Sequence, residues 1–144
     1  MSIKVYTDGA CRGNPGPGGW GVLILFNNEE KELFDGLKET TNNQMELKAA
    51  IEALKHLRGH SEEIHLFTDS NYVRQGITEW INKWKINNWR TSSKKPVANK
   101  DLWIELDELS TSMNIIWNWV KGHSGDPGNE RADQLANLGA DSVS

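Results

Sequence analysis

The chain reads as an α/β fold built on a mixed sheet. Three strand-like runs joined by turn signals open it, the pattern of an antiparallel meander. A helix, a fourth strand, further helices, a fifth strand and a last helix then follow. At 144 residues, 37% apolar and 25% charged, the chain suits a single domain with a sizeable core.

Ile3 to Asp8 alternates apolar and polar residues and predicts the first strand. Gly13-Asn14-Pro15-Gly16-Pro17-Gly18 is a dense turn signal. Trp20 to Phe26 predicts the second strand, Asn27-Asn28 a hairpin turn, and Lys31 to Leu37 the third strand. A helix pattern begins at Asn43, with Leu47, Ala50, Ile51, Leu54 and Leu57 at helical spacing and Gly59 as its stop. Glu63 to Thr68 is a fourth strand. Short helices are predicted near Asn71 to Gly76 and Glu79 to Lys85, and a polar loop from Asn87 to Ala98. Lys100 to Leu109 reads as a helix and Asn114 to Val120 as the last strand. Asp126-Pro127 has the form of an N-cap with proline at the first helical position.

No run of 18 apolar residues is present, so no membrane span is expected. The opening MSIKVYTD enters a strand pattern without a signal-peptide pattern. One cysteine, Cys11, cannot form an internal disulfide, and no zinc-type Cys/His pairs occur. A cytoplasmic location is expected. The net charge of −4 conceals a sharp asymmetry. Arg74 to Lys100 carries seven cations and one acid, a local +6, which leaves −10 on the remainder. Trp80, Trp84, Trp89 and Trp103 fall within or beside this segment. Basic residues interleaved with tryptophan form a footprint for a polyanion. A solvated charged loop over packed tryptophans would read the same way.

Four carboxylates stand in four distinct contexts: Asp8, Glu46, Asp69 and Asp133. Asp8 and Asp69 each end a strand-like run with the same Thr-Asp pair. Each acid has an ordinary alternative. Asp8 suits a turn before Gly9, Glu46 a capping-box partner of Asn43, Asp69 an N-cap, and Asp133 a solvated helix face. Gathered at one place, the four would repel and raise one another's pKa unless a cation neutralised them. For an all-oxygen site that cation is Mg2+ or Mn2+. Such a centre points to metal-assisted phosphoryl chemistry.

The segments TDGACRGNPGPGGWG, TTNNQMEL, TDSNYVRQGI, KKPVANKDLW and WVKGHSGDPGNERAD, in this order, resemble type 1 ribonuclease H of the bacterial kind. The resemblance covers nearly the whole chain. It implies the ribonuclease H-like fold: a five-stranded mixed sheet, antiparallel in its first three strands, with helices on both faces. It implies one catalytic domain over residues 1–144 with a basic handle at about 80–100. The implied activity is cleavage of the RNA strand of RNA–DNA hybrids by a monomer, leaving 5′-phosphate and 3′-hydroxyl ends. Two Mg2+ ions (Mn2+ possible) are implied, about 3.5–4 Å apart.

The same resemblance assigns roles. Asp8 bridges the ions, Asp69 and Asp133 complete the water-activating side, and Glu46 serves the leaving-group side and the ribose 2′-hydroxyl. His123 is an auxiliary group for proton transfer or product release. Cys11, Asn14, Asn42, Asn43 and Asn71, with Gln75 nearby, approach the minor groove. The DNA strand lies along Trp80 and Trp84, and Thr41 with Asn99 forms a pocket for a DNA phosphate. Lys83, Lys85, Arg90, Lys94 and Lys95 supply phosphate attraction. His56, His60 and His65 match no functional position. Two departures stand out: Glu39 occupies a place where the family commonly has arginine, and Ile86-Asn87-Asn88 makes the handle tip less basic. A DNA-cutting resolvase-like nuclease and a non-catalytic hybrid-binding module are the competing readings.

Overall fold

The computed structural model describes residues 2–91, 93–122 and 125–144. Strands β1 (Ser2–Cys11), β2 (Gly16–Phe26) and β3 (Glu29–Thr40) form an antiparallel meander. Helix α1 (Asn42–His56) leads to β4 (Glu63–Thr68), which pairs parallel to β1. Then come α2 (Asn71–Gln75), a π-helical turn (Gly76–Trp80), α3 (Ile81–Ile86) and α4 (Lys100–Thr111). Strand β5 (Ile115–Trp119) pairs parallel to β4, and α5 (Pro127–Ser142) closes the chain. The sheet order is β3-β2-β1-β4-β5, so β1 and β4 are adjacent and interior.

Strand alternation sends Ile3 and Val5 of β1, and Val22 and Ile24 of β2, into one core. Helix α1 covers it with Leu47, Ile51 and Leu54, all fully buried. A 15-residue helix is marginal alone, and each buried aliphatic side chain adds roughly 1.5–3 kcal/mol, so tertiary packing holds α1. Helix α5 takes the opposite face. There β2 presents backbone: a Cβ at Gly21 would stand 2.4 Å from Ala132 O, and one at Gly19 2.3 Å from Ala136 O. Only glycine allows α5 this close, and Ala132, Ala136 and Ala140 complete the seam.

Most elements lie where the sequence predicts, with instructive shifts. The predicted turn Gly13–Gly18 is half strand, because β1 continues to Cys11 and pairs Cys11 with Gly18. A register irregularity between Gly16 and Gly18 accommodates Pro17 in β2. Helix α1 is capped by Thr41, whose side chain accepts from Gln44 N at 3.2 Å, and not by Asn43. It ends at His56, before Gly59, which sits at φ +92° in the following loop. The two predicted short helices form one continuous helical stretch joined by the π turn. Gly76 opens that turn against the ring of Trp103, where any Cβ would collide. Asp126 caps α5 as expected, accepting from Gly128 N and Asn129 N at 3.0 and 3.2 Å.

Candidate active site

Parallel pairing sets Asp8 level with Asp69: Asp8 does not end its strand, since β1 runs on to Cys11 by pairing with β2, whereas Asp69 directly follows the end of β4. Tyr6 stands opposite Phe67, so Asp8 and Asp69 each lie two residues further along, at the same sheet edge. Open α/β sheets bind ligands at this edge. Glu46 arrives from the start of α1. A Cβ on Gly9 would lie 2.6 Å from Glu46 N, so α1 rests directly on the β1 backbone beside Asp8. One carboxylate oxygen from each of Asp8, Glu46 and Asp69 lies within 4.8 Å of the others. Asp133 faces Asp8 from α5, near enough to interact with it through hydrogen bonding and charge.

Asp8 and Glu46 are buried; Asp69 and Asp133 are half-buried. Burial, then the Asp69 charge, pushes the Asp8 carboxyl up to about 8, with Asp133 adding to the rise. The Gly9 N–H, which donates to Asp8 Oδ1 at 2.9 Å, opposes it. Burial holds Glu46 well above the ordinary carboxyl range, with Asp8 and Asp69 adding their repulsion. Glu46 Oε1 is buried without a hydrogen-bond partner among the described residues. A buried carboxylate oxygen with no donor, facing two more carboxylates, fits a hard divalent cation with oxygen ligands. Gly122 closes on the far side: a Cβ there would stand 2.8 Å from Asp69 Oδ2. His123 lies outside the described residues.

The remaining sequence candidates fall into four groups. Cys11, Asn14 and Asn42 meet at one corner: the Cys11 thiol approaches the Thr40 carbonyl at 3.4 Å, and Asn42 N donates to Asn14 Oδ1 at 2.9 Å. Asn43 is exposed beside them. Asn71 lines a polar cleft of about 340 Å3 next to Asp69, with Ser70, Arg74 and Lys121, and Gln75 is exposed at the end of α2. Thr41 and Asn99 are linked through Gln44, whose Nε2 donates to Asn99 Oδ1 at 3.1 Å.

Trp80 and Trp84 pack with ring centroids 5.7 Å apart, and both are half-buried. Beneath them Trp103 is fully buried, and Tyr72 lies 5.8 Å from Trp80 and 5.3 Å from Trp103. The tryptophans are thus both packed support and partly open surface. Lys85 lies 3.3 Å from Asp107, so part of its charge is already answered within the protein. Sequence reading passed over Gln44 and Tyr72, which lie inside segments that carry the resemblance but are uncharged and were given no role of their own. It also missed Asn129, buried one helical turn before Asp133 with its Oδ1 unpartnered among the described residues.

The sheet order, the helices on both faces and the acidic edge together are the architecture of the ribonuclease H-like fold. A ribonuclease H family model matches residues 1–141. The chain is 59% identical over 142 residues to a ribonuclease H of Pseudomonas entomophila, covering 99% of this chain and 95% of that one. It is 60% identical over 141 residues to a ribonuclease H of a Polaromonas species, covering 96% and 88%. Among solved structures, LC9-RNase H1, a type 1 RNase H with the type 2 active-site motif, is similar with a TM-score of 0.89 at 31% identity, covering 99% and 74%. LC11-RNase H1, solved in complex with RNA/DNA hybrid, is similar with a TM-score of 0.75 at 27% identity, covering 98% of each chain. The chain belongs to the ribonuclease H family, as a type 1 member of the bacterial kind.

Proposed function

We propose that this enzyme hydrolyses the RNA strand of RNA–DNA hybrids at the Asp8–Glu46–Asp69–Asp133 edge, leaving 5′-phosphate and 3′-hydroxyl ends. The observation that carries the reading is the convergence of three carboxylates within 4.8 Å, two of them buried and held toward their protonated forms. A bound cation would favour the charged forms of Asp8 and Glu46, which burial disfavours. Two Mg2+ ions, or Mn2+, would when bound supply an activated water and charge relief at the leaving oxygen.

The protein's own groups then have distinct work. Asp8, central and buried, would be a ligand common to both cations. Asp69 and Asp133 would complete the set where an attacking water is activated. Glu46 would serve where charge develops on the leaving oxygen and would reach the 2′-hydroxyl that marks RNA. Buried or half-buried and set by packed strands and helices, these groups need little reorganisation. His123 assists proton transfer or product release. Cys11, Asn14, Asn42, Asn43, Asn71 and Gln75 read the minor groove. Trp80 and Trp84 support the DNA strand, and Thr41 with Asn99 holds one of its phosphates. The LC11-RNase H1 complex with hybrid supports this substrate class. We read residues 1–144 as one catalytic domain that works as a cytoplasmic monomer, with residues 80–100 as its basic handle.

The test compares hybrid, duplex RNA and duplex DNA of one sequence, each with and without Mg2+. The expected result is cleavage of hybrid alone, in its RNA strand, and only with the metal. Cleavage of duplex DNA would favour the resolvase-like reading. Hybrid binding without any Mg2+-dependent product would favour a binding module.

A further inference from the structure

Asn99 is held in an unusual way for a residue assigned to a phosphate. It precedes α4 at φ 58°, a left-handed conformation that asparagine tolerates, and its side chain does not cap that helix. Its amide is instead gripped from two other elements. Gln44 Nε2, from α1, donates to Asn99 Oδ1 at 3.1 Å. Asn99 Nδ2 donates to Tyr72 Oη, from α2, at 3.1 Å.

Each grip is itself fixed. The buried Thr40 hydroxyl donates to Gln44 Oε1 at 2.8 Å, which leaves Gln44 Nε2 as the group facing Asn99. Trp103 is fully buried, and its Nε1 donates to Tyr72 Oη at 3.0 Å. An asparagine amide has one acceptor and two donors. Here the acceptor and one donor are used. Turning the amide over would set its NH2 against the Gln44 NH2, so Gln44 decides the orientation. What stays uncommitted among the described residues is donor capacity: the second Asn99 N–H, the Tyr72 O–H and the Thr41 O–H, whose oxygen already accepts from Gln44 N.

We infer that Gln44 and Tyr72 are positioning residues that lock the Asn99 amide as a donor and so tune the pocket for an anion. Tyr72 also ties the pocket to the aromatic wall, because its ring packs on Trp80 and Trp103. One DNA strand would thus be gripped by a phosphate site and a stacking surface that share a single residue. The inference rests on the proposal that Thr41 and Asn99 hold a DNA phosphate, and the experiment separates the two.

The test uses short hybrids, each with one uncharged methylphosphonate at a different place in the DNA strand, in steady-state cleavage with Mg2+. For the wild type, one position should raise KM; its absence would withdraw the pocket and this inference with it. Tyr72→Phe and Gln44→Met should each raise KM on the unmodified hybrid by about two- to tenfold, the range of a single hydrogen bond. The rise should be confined to KM, and the penalty of the methylphosphonate at that one position should shrink. Because both act on one amide, the double variant should lose less than the product of the two effects. A general loss that leaves the position-specific penalty intact would overturn the inference and leave only a structural role. Tyr72→Phe strands a buried Trp103 N–H; if it fails to fold, Gln44→Met, outside the core, decides alone.

Discussion

The acidic edge and the basic handle solve opposite electrostatic problems by opposite means. At the edge, like charges are forced together, and only a rigid frame can do this. Asp8 lies on β1 and Asp69 directly follows β4, the two adjacent interior strands, and Glu46 is pressed onto Gly9 by a helix whose apolar face is buried. Along the handle, cations need not be held at all. Lys83, Lys94 and Lys95 are exposed on a short helix and a loop, while order comes from the tryptophans beneath. The difference teaches where precision is needed. Chemistry at a phosphodiester demands fixed oxygen ligands, whereas attraction of a polyanion works through mobile charge in solvent.

The sharpest way to break this comparison is at the edge. Asp8→Asn, Glu46→Gln or Asp69→Asn should each lower Mg2+-dependent cleavage by about three orders of magnitude, several kcal/mol of lost transition-state stabilisation. Cleavage near the wild-type rate in any one would remove that residue from the centre. Stability should move the other way. The Asp8 carboxyl is held at about 8 in the folded protein, above its unfolded value, so the native state binds more protons than the unfolded state in between. The metal-free protein therefore loses stability as pH rises from about 4 to about 8. Asp8→Asn should raise the metal-free Tm more at pH 8 than at pH 5; an equal shift would mean that Asp8 is not held protonated. Mg2+ should stabilise the wild type at pH 8 and stabilise Asp8→Asn less.

His123→Ala should lower kcat by roughly tenfold to a hundredfold, at or below the low end of acid–base effects, with little change in hybrid affinity. A loss confined to KM would contradict a proton-transfer role. At the handle, replacing Lys83, Lys94 and Lys95 together by alanine should flatten the salt dependence of hybrid binding. Each lost phosphate contact should reduce the log–log slope by about 0.7–0.9, with saturated turnover little changed. Lys85→Ala should flatten it less, because Asp107 already engages that ammonium. An unchanged slope in the triple variant would make the segment a solvated face.

The smallest expected effect lies between the two regions. Glu39 is exposed on β3, two residues before Thr41. Glu39→Arg should tighten hybrid binding at low salt by about 0.2–1 kcal/mol, the range of exposed charge pairs, and leave the metal dependence of cleavage unchanged. Equal affinity at low salt would mean that Glu39 points away from the strand or that Thr41 and Asn99 hold no phosphate.

The sequence alone determined the element order and the helix cap at Asp126, because these are local signals, and its resemblance to a known family picked out which four acids to compare. Strand alternation, proline after an N-cap and a Thr-Asp pair ending an apolar run each lie within a few residues. It also showed the charge asymmetry, which is a matter of counting. Boundaries were legible only where local chemistry decides them. The turn at Gly13–Gly18 became half strand because the β1 partner imposed pairing, and the helices after Asp69 run together through a turn at Gly76, which lies against Trp103. What only the tertiary structure decided is contact between residues far apart in the chain. The parallel β1–β4 register set Asp8 beside Asp69, and the glycine seam brought α5 down onto the face that carries Asp8. The Gln44–Asn99–Tyr72 array joins three elements through neutral groups. Neutral hydrogen bonds depend on positions set to a few tenths of an ångström. No composition or spacing encodes these positions, which arise only when the whole core is packed.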